Sequence, residues 1–399
     1  MVLCMSHETP KAAGALDGIR VLDFTAVMAG PYCTRLLADL GAEVIKVEPF
    51  QGDLIRPTGE FSGWRSAYFG QLNAGKKSMV LELKKPQGLK IARELAAKSD
   101  VVVENFRPGV MNRLGLGYEI LSASNPRLIY CAISGYGQSG PAANKAAYAP
   151  IIHAASGFDL AHMGYQENAD RPARTGIFMA DVLGGLNAFG AIQTALFQRE
   201  RSGRGQMIDV SLVESMLSMM VYECSIASFS PEQPRHLYGP LRASDGYLIL
   251  APVSQKNFDA LTKSIGRPEL LENPRFSSPI DRSANWNAMM SIIEQWTVER
   301  TARACEAIFS QAGVPCSRYL TVGEALAEEQ IRHRGSLTTI EERGHTYEIP
   351  NPAFKLSQSR TEAGSKVAAL GEDTEEILRD VLDLDANRIS TLKREGAVN

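Results

Sequence analysis

Apolar and polar positions alternate in blocks along the first half of the chain. Short, largely apolar runs at 20–24, 43–48, 78–83, 101–106, 128–134 and 207–211 read as buried strands. Helical runs at 34–40, 87–98 and 110–113 fall between them. The first strand, loop, helix and second strand span about 30 residues, the size of a βαβ unit, and predict an α/β fold opening a parallel, doubly wound sheet. No G-x-G-x-x-G lies between that strand and helix, so the pattern lends little support to dinucleotide binding. From about residue 229 the texture changes. Prolines precede a hairpin-like ASDGYLILA, and helical runs follow at 255–265, 284–298 and 303–312. These features predict a large domain over 1–228 and a smaller α+β domain over 229–330. The tail, 331–399, is punctuated by proline and glycine to about residue 371 and predicts a helix at 374–382.

One stretch stands apart, RTGIFMADVLGGLNAFGAIQTAL at 174–196. It is long, small and apolar, with a single carboxylate, Asp181, and a Gly184-Gly185 pair just after it. Aspartate suits a helix start, where its oxygens meet unpaired N–H groups, so spacing alone favours Asp181 as an N-cap. The alternative is a carboxylate held against apolar walls for chemistry. Upstream, SGYGQSGP follows a predicted strand at the end where open α/β sheets place ligands, and a helix is expected at 148–156. Met216, Met219 and Met220 form a face expected to pack in the core.

Composition narrows the partners. A net charge of -3 argues against nucleic acid or an anionic membrane surface. The six cysteines form no CxxC pair, and a chain of 399 residues needs no disulfides, so a reducing cytoplasm is expected. The first residues have no basic-then-apolar signal pattern, and no run has the roughly 18 apolar residues of a membrane span. The histidines lack HxxxH or HExxH spacing, so no metal site is expected.

Six motifs occur in order: LDGIRVLDFTAVMAGPYCTRLLADLGAEVIKVEP, NAGKKSMVLELKKPQG, VVVENFRPGV, SGYGQSGP, MADVLGGLNAFGAIQTALFQRERSGRGQMIDVSLVESM and AGVPCSRYL. Together they resemble the class III coenzyme A transferases (the CaiB/BaiF type), the family of formyl-CoA and carnitine-CoA transferases and of alpha-methylacyl-CoA racemase. The resemblance covers about residues 14–385. It implies a Rossmann-like large domain built from both ends of the chain, a small domain inserted late, and a homodimer of interlocked rings.

The resemblance also implies a reaction. The family's aspartate nucleophile falls on Asp181, reversing the cap reading. A carboxylate there attacks a thioester, expels CoA thiolate and leaves an acyl-aspartyl anhydride, with an aspartyl-CoA thioester following. Apolar walls protect the anhydride from water. Gly135 and Gly137 are candidates for the backbone that holds the oxyanion. By motif, Val27, Met28 and Ala29 line the thiol end of CoA, Leu81 and Lys84 lie near the adenosine, and Asn105, Phe106, Arg107 and Arg113 lie near nucleotide and pantetheine. A basic residue that some relatives carry just after the second strand is Pro49 here. CoA is expected as a substrate, with no permanently bound cofactor.

Two departures bear on the branch. The racemase His-Asp pair reads Tyr148-Ala149, and tyrosine is a poor proton shuttle near neutral pH. His153 lies five residues beyond Tyr148, off its face, and is expected in the core or on the surface. Tyr148 is expected to contact thioester or acceptor, or to pack on a helix face. The glycine run of formyl-CoA transferases is replaced by Leu237-Tyr-Gly-Pro-Leu. The resulting expectation is CoA transfer from succinyl-CoA to a small dicarboxylate such as itaconate, with a 2-methylacyl-CoA racemase as the alternative. Arg56, Arg65, Arg171 and Arg174 are candidates for a second acceptor carboxylate, because guanidinium binds carboxylate in a two-point fork.

Overall fold

A computed structural model describes residues 13–56, 64–229, 235–342 and 344–399, the side chains of 64–66 excepted. The apolar runs form strands in chain order with helices between them: β1 (Arg20–Asp23), α1 (Ala29–Asp39), β2 (Glu43–Glu48), α2 (Trp64–Asn73), β3 (Lys77–Val80), α3 (Pro86–Ala97) and β4 (Val101–Glu104). Next come α4 (Val110–Arg113), α5 (Tyr118–Ser124), β5 (Ile129–Ser134), α6 (Ala149–Ala155), α7 (Phe158–Gly164), α8 (Met179–Ser202), β6 (Met207–Ser211), α9 (Leu212–Met219) and α10 (Val221–Ser228). The six strands make one parallel sheet in the order β3-β2-β1-β4-β5-β6. Chain direction across the sheet reverses between β1 and β4, the place where open α/β sheets form their ligand crevice.

The strands sort their side chains by the two-residue period of a pleated strand. Val21, Val101, Val103, Ile129, Cys131 and Ile133 face one core with α1 and α8. Leu22, Val102, Tyr130 and Ala132 face the other, where the C-terminal residues Ile377, Leu378, Leu392 and Val398 close over Ile91 and Leu95 of α3. Several strands end earlier than the apolar pattern predicts, and side-chain acceptors explain two of them. Asp23 Oδ1 accepts the N–H of Thr25 at 2.8 Å and turns the chain out of β1. Glu104 Oε2 accepts the N–H of Phe106 at 2.8 Å and does the same after β4.

The chain divides into two compact units. One runs to Cys224 and resumes at His333, and the other is Ser225–Arg332. The smaller unit has an antiparallel sheet of β7 (Leu241–Ala243), β8 (Gly246–Leu250) and β9 (Cys316–Arg318), in that order. Phe258, Phe276, Trp286, Met289 and Phe309 fill its core. The resumed tail of the larger unit contains a hairpin, β10 (Leu337–Glu342) and β11 (His345–Pro350), which the punctuated sequence does not predict. Ile340 and Ile349 bury it against Ala74 and Ala363. Among the described residues no helix is long and apolar enough to cross a membrane.

Candidate active site

Asp181 is the third residue of α8, not its cap. Phe178 holds the cap position and offers no side-chain acceptor, and Asp181 lies in the first turn. The N-cap expectation is therefore overturned. The Ala180 N–H that such a cap could satisfy is taken instead by the imidazole of His153, at 3.1 Å. Among the described residues the Asp181 carboxylate accepts no hydrogen bond and has no ion pair. Burial alone pushes its pKa up to about 6.

The two glycines after Asp181 decide what lies beside it. A Cβ on Gly184 would strike the side chain of Leu212, and one on Gly185 would lie 2.7 Å from the Ala29 carbonyl oxygen and 3.0 Å from the Tyr32 ring. Gly184 thus makes room for Leu212 of α9, and Gly185 lets the first turns of α8 lie directly on the first turn of α1. That turn follows the loop leaving β1 at the switch point.

Polar side chains, buried or partly buried, hold this loop by its backbone, residue by residue. Lys46 Nζ donates to the Thr25 carbonyl at 2.8 Å. Asn105, just past β4, grips Ala26 twice, accepting its N–H at 2.9 Å and donating to its carbonyl at 2.8 Å. Asp53 accepts the Val27 N–H at 3.2 Å and is ion-paired to Lys46 at 3.0 Å. Val27 has a φ of 68°, a left-handed conformation that costs a β-branched residue on the order of 1–3 kcal/mol and persists where its surroundings over-determine it. Beneath the loop, Lys76 lies 3.1 Å from Asp23. Burial would raise the Asp23 pKa, but the charges of Lys76 and Lys46 outweigh it and bring the pKa down to about 2.

Met28 completes the floor. Its sulfur lies 3.4 Å from the hydroxyl of Tyr68 on α2. Burial raises the Tyr68 pKa, and the negative charges of Asp181 and Asp53 raise it further. Met28 and Tyr68 are in contact here, and the field of Asp181 reaches the phenol. Tyr68 escapes the sequence reading because α2 has no clear amphipathic period and nothing around the residue marks it.

The other candidates fall into groups. Val27 and Met28 lie in the loop leading into α1, and Ala29 opens that helix against Gly185 of α8. Asn105 is at the switch point, with its amide engaged by Ala26. Arg107 and Arg113 are exposed and, among the described residues, carry no ion pair, so both are available to an anion. Phe106 is partly buried against the second core. Leu81 is 1% exposed within that core, so its side chain does not line an open surface. Lys84 is exposed just beyond it.

Gly135 packs without a Cβ against Ala147, and its carbonyl accepts the Val213 N–H at 3.1 Å. Gly137 turns the chain with a φ of 85°. Tyr148 is 67% exposed at the cap of α6, so it does not pack on a helix face. Arg56 is corrected outright. Its guanidinium grips Glu48 with two nitrogens, at 2.7 and 2.8 Å, and the Ala368 carbonyl with the third, at 2.8 Å, which leaves no fork for an acceptor carboxylate. The side chain of Arg65 lies outside the described residues. Arg171 and Arg174 are exposed in the loop before α8 and, among the described residues, carry no ion pair. No cluster of three or more metal-ligating side chains occurs among the described residues.

Comparison with known proteins bears on this constellation. A family model described as CoA-transferase family III matches residues 16–374. The chain is 34% identical over 396 residues to succinyl-CoA:glutarate CoA-transferase of Homo sapiens, covering 96% of this chain and 90% of that protein. It is 32% identical over 410 residues to succinyl-CoA–D-citramalate CoA-transferase of Chloroflexus aurantiacus, covering 99% and 100% respectively. Its fold is similar to the crystal structure of a CaiB/BaiF family protein from Brucella suis, with a TM-score of 0.80, 32% identity, and coverage of 92% of this chain and 100% of that one.

Proposed function

Since the chain belongs to CoA-transferase family III, and is thus a transferase acting on CoA thioesters, we propose that it moves CoA from succinyl-CoA to a small dicarboxylate through covalent intermediates on Asp181. The observation that carries this reading is the setting of Asp181. It is a desolvated carboxylate with no hydrogen-bond donor among the described residues, in the helical turn that Gly185 lets pack on the start of α1, which Met28 caps. A carboxylate stripped of donors and water is a better nucleophile than a hydrated one.

The steps balance without net proton release. Asp181 attacks the donor thioester carbonyl, and the C–S bond breaks to give CoA thiolate and a mixed anhydride. The thiolate attacks the aspartyl carbonyl, forming aspartyl-CoA thioester and releasing the donor acid. The acceptor carboxylate then displaces thiolate to form a second anhydride. Attack of thiolate on the acceptor acyl carbon releases the new acyl-CoA and regenerates Asp181. Arg107 and Arg113 face the phosphates of CoA, and Arg171 or Arg174 takes the second carboxylate of the acceptor. Gly135 and Gly137 are retained as the backbone candidates for the oxyanion.

Relatives named for glutarate and D-citramalate support a dicarboxylate acceptor, and itaconate belongs to the same chemical class. The racemase alternative needs a histidine free to shuttle a proton, and the Nε2 of His153, in the segment where one would be sought, is engaged by Ala180. A homodimer accompanies this proposal. Ile151 on α6, Leu160 on α7, Ile177 before α8 and Phe197 on α8 are each more than half exposed, apolar surface that a second copy could cover.

The test is incubation of purified protein with succinyl-CoA and a panel of glutarate, itaconate, malate, citramalate and monocarboxylates, read by mass spectrometry. A new acyl-CoA formed with a dicarboxylate is expected. Solvent deuterium entering a 2-methylacyl-CoA, with no transfer to any acceptor, would reassign the protein to racemisation.

A further inference from the structure

His153 is fully buried on α6, yet both of its ring nitrogens have partners on the segment leading into α8. Nε2 accepts the N–H of Ala180 at 3.1 Å, a hydrogen bond between residues 27 apart in sequence. Nδ1 lies 3.4 Å from the hydroxyl of Thr175, and that hydroxyl donates its single proton to the Ile177 carbonyl at 3.2 Å. With the hydroxyl proton committed, the contact requires Nδ1–H as donor and Thr175 Oγ1 as acceptor. The ring is therefore neutral, with the lone pair of Nε2 aimed at the helix.

The recipient of that lone pair matters. The first-turn N–H groups of a helix have no partner within the helix, and a Ser, Thr, Asp or Asn at the cap position ordinarily accepts one of them. Phe178 cannot. The second residue of α8 is therefore capped from a different helix, at the position directly before Asp181.

We propose that His153 is a positioning residue for Asp181: as a neutral acceptor pinned by Thr175, it caps the first turn of α8 and fixes where the reactive carboxylate sits. This rests on Asp181 being the nucleophile. The role differs from that of an ordinary core histidine because it depends on one lone pair rather than on the volume of the ring. It differs from the racemase histidine because no proton moves. A protonated ring would set N–H against N–H at the positive end of a helix and break the bond. The charged group facing the imidazole is Asp159 of α7, which favours protonation. Burial opposes it and holds the His153 pKa below its usual value. A nucleophile misplaced by about 1 Å loses on the order of a hundred-fold in rate, so a frayed first turn would be felt in the chemical step rather than in CoA binding.

The experiment compares wild type with His153→Gln, His153→Leu, Thr175→Val and Asp181→Ala, using succinyl-CoA and the best dicarboxylate of the panel, with thermal melting in parallel. The Gln amide oxygen can accept the Ala180 N–H, whereas Leu fills the space without an acceptor. Expected are a kcat reduced on the order of ten- to a hundred-fold in His153→Leu with KM for succinyl-CoA within about two-fold, and a kcat within about three-fold of wild type in His153→Gln. Thr175 is exposed, so Thr175→Val tests the pin even if the Leu variant fails to fold, and its kcat is expected to fall several-fold. An inactive Asp181→Ala together with wild-type kcat in His153→Leu, or in Thr175→Val if the Leu variant does not fold, would overturn the proposal alone. Equal loss in the Gln and Leu variants would do the same. Full activity of Asp181→Ala would overturn the nucleophile reading beneath it.

Discussion

Asp181 combines two properties that are usually kept apart, a helix-start position and an environment with no side-chain donor among the described residues. The consequence is a stability cost that can be measured. Its pKa is about 6 in the folded chain against an ordinary 3.8, so between about pH 4 and pH 6 the folded state holds a proton that the unfolded state has released. Stability contributed by this group therefore falls as pH rises through that window. Asp181→Asn, which does not titrate, is expected to be more stable than wild type by about 2 kcal/mol at pH 8, with the gain shrinking toward pH 4. Denaturant midpoints at the two pH values check this, and a variant less stable than wild type at pH 8 would contradict it. Asp181 was conspicuous in sequence as the lone carboxylate in a small apolar run. His153 was not, because its role appears only when α6 meets the start of α8. Lys46 did leave a trace, as a lysine in the middle of the buried strand EVIKVE. Its partner Asp53, seven residues on, could not be assigned until the loop after β2 folded back.

At the scale of elements, the crossing of α1 and α8 assembles the site, and glycine sets its closeness. Gly185→Ala places a methyl group 2.7 Å from a backbone oxygen, which a rotamer change cannot relieve. It is expected to cost about 1–3 kcal/mol and to lower kcat by moving Asp181 relative to Met28. Thermal melting and steady-state kinetics together check this, and an unchanged kcat would show that the crossing distance does not govern the chemistry. Strand and helix periods were legible here because the strands are buried on both faces and α3 is amphipathic. The strand ends were not, because Asp23 and Glu104 stop β1 and β4 with their own side chains where hydrophobicity continues. The hairpin β10–β11 escaped because its alternation is weak and its apolar face, Ile340 and Ile349, finds its partners Ala74 and Ala363 far away along the chain.

For the whole molecule, the proposed function centres on the switch point between β1 and β4. The loop from β1 carries Met28 to the start of α1, on which α8 packs, and the turn after β4 supplies both the Asn105 clamp and the exposed Arg107. Arg107→Ala and Arg113→Ala are each expected to raise KM for acyl-CoA on the order of ten-fold, with kcat little changed, since phosphate contacts remote from the thioester bind substrate and transition state alike. A fall in kcat with constant KM would remove them from the CoA site. The parallel sheet was legible from the spacing of its strands. The strand order, and with it the meeting of two loops far apart in sequence, rests on tertiary pairing that local pattern does not encode.

The central claim is that Asp181 carries the transferred group, and chemical trapping tests it most directly. Protein incubated with succinyl-CoA is quenched with hydroxylamine, which converts an activated carboxyl to a hydroxamate, then digested and analysed by tandem mass spectrometry. The account predicts a hydroxamate on Asp181 in the peptide spanning 175–199, dependent on succinyl-CoA. A hydroxamate on another carboxylate, or none under conditions where transfer proceeds, would contradict it.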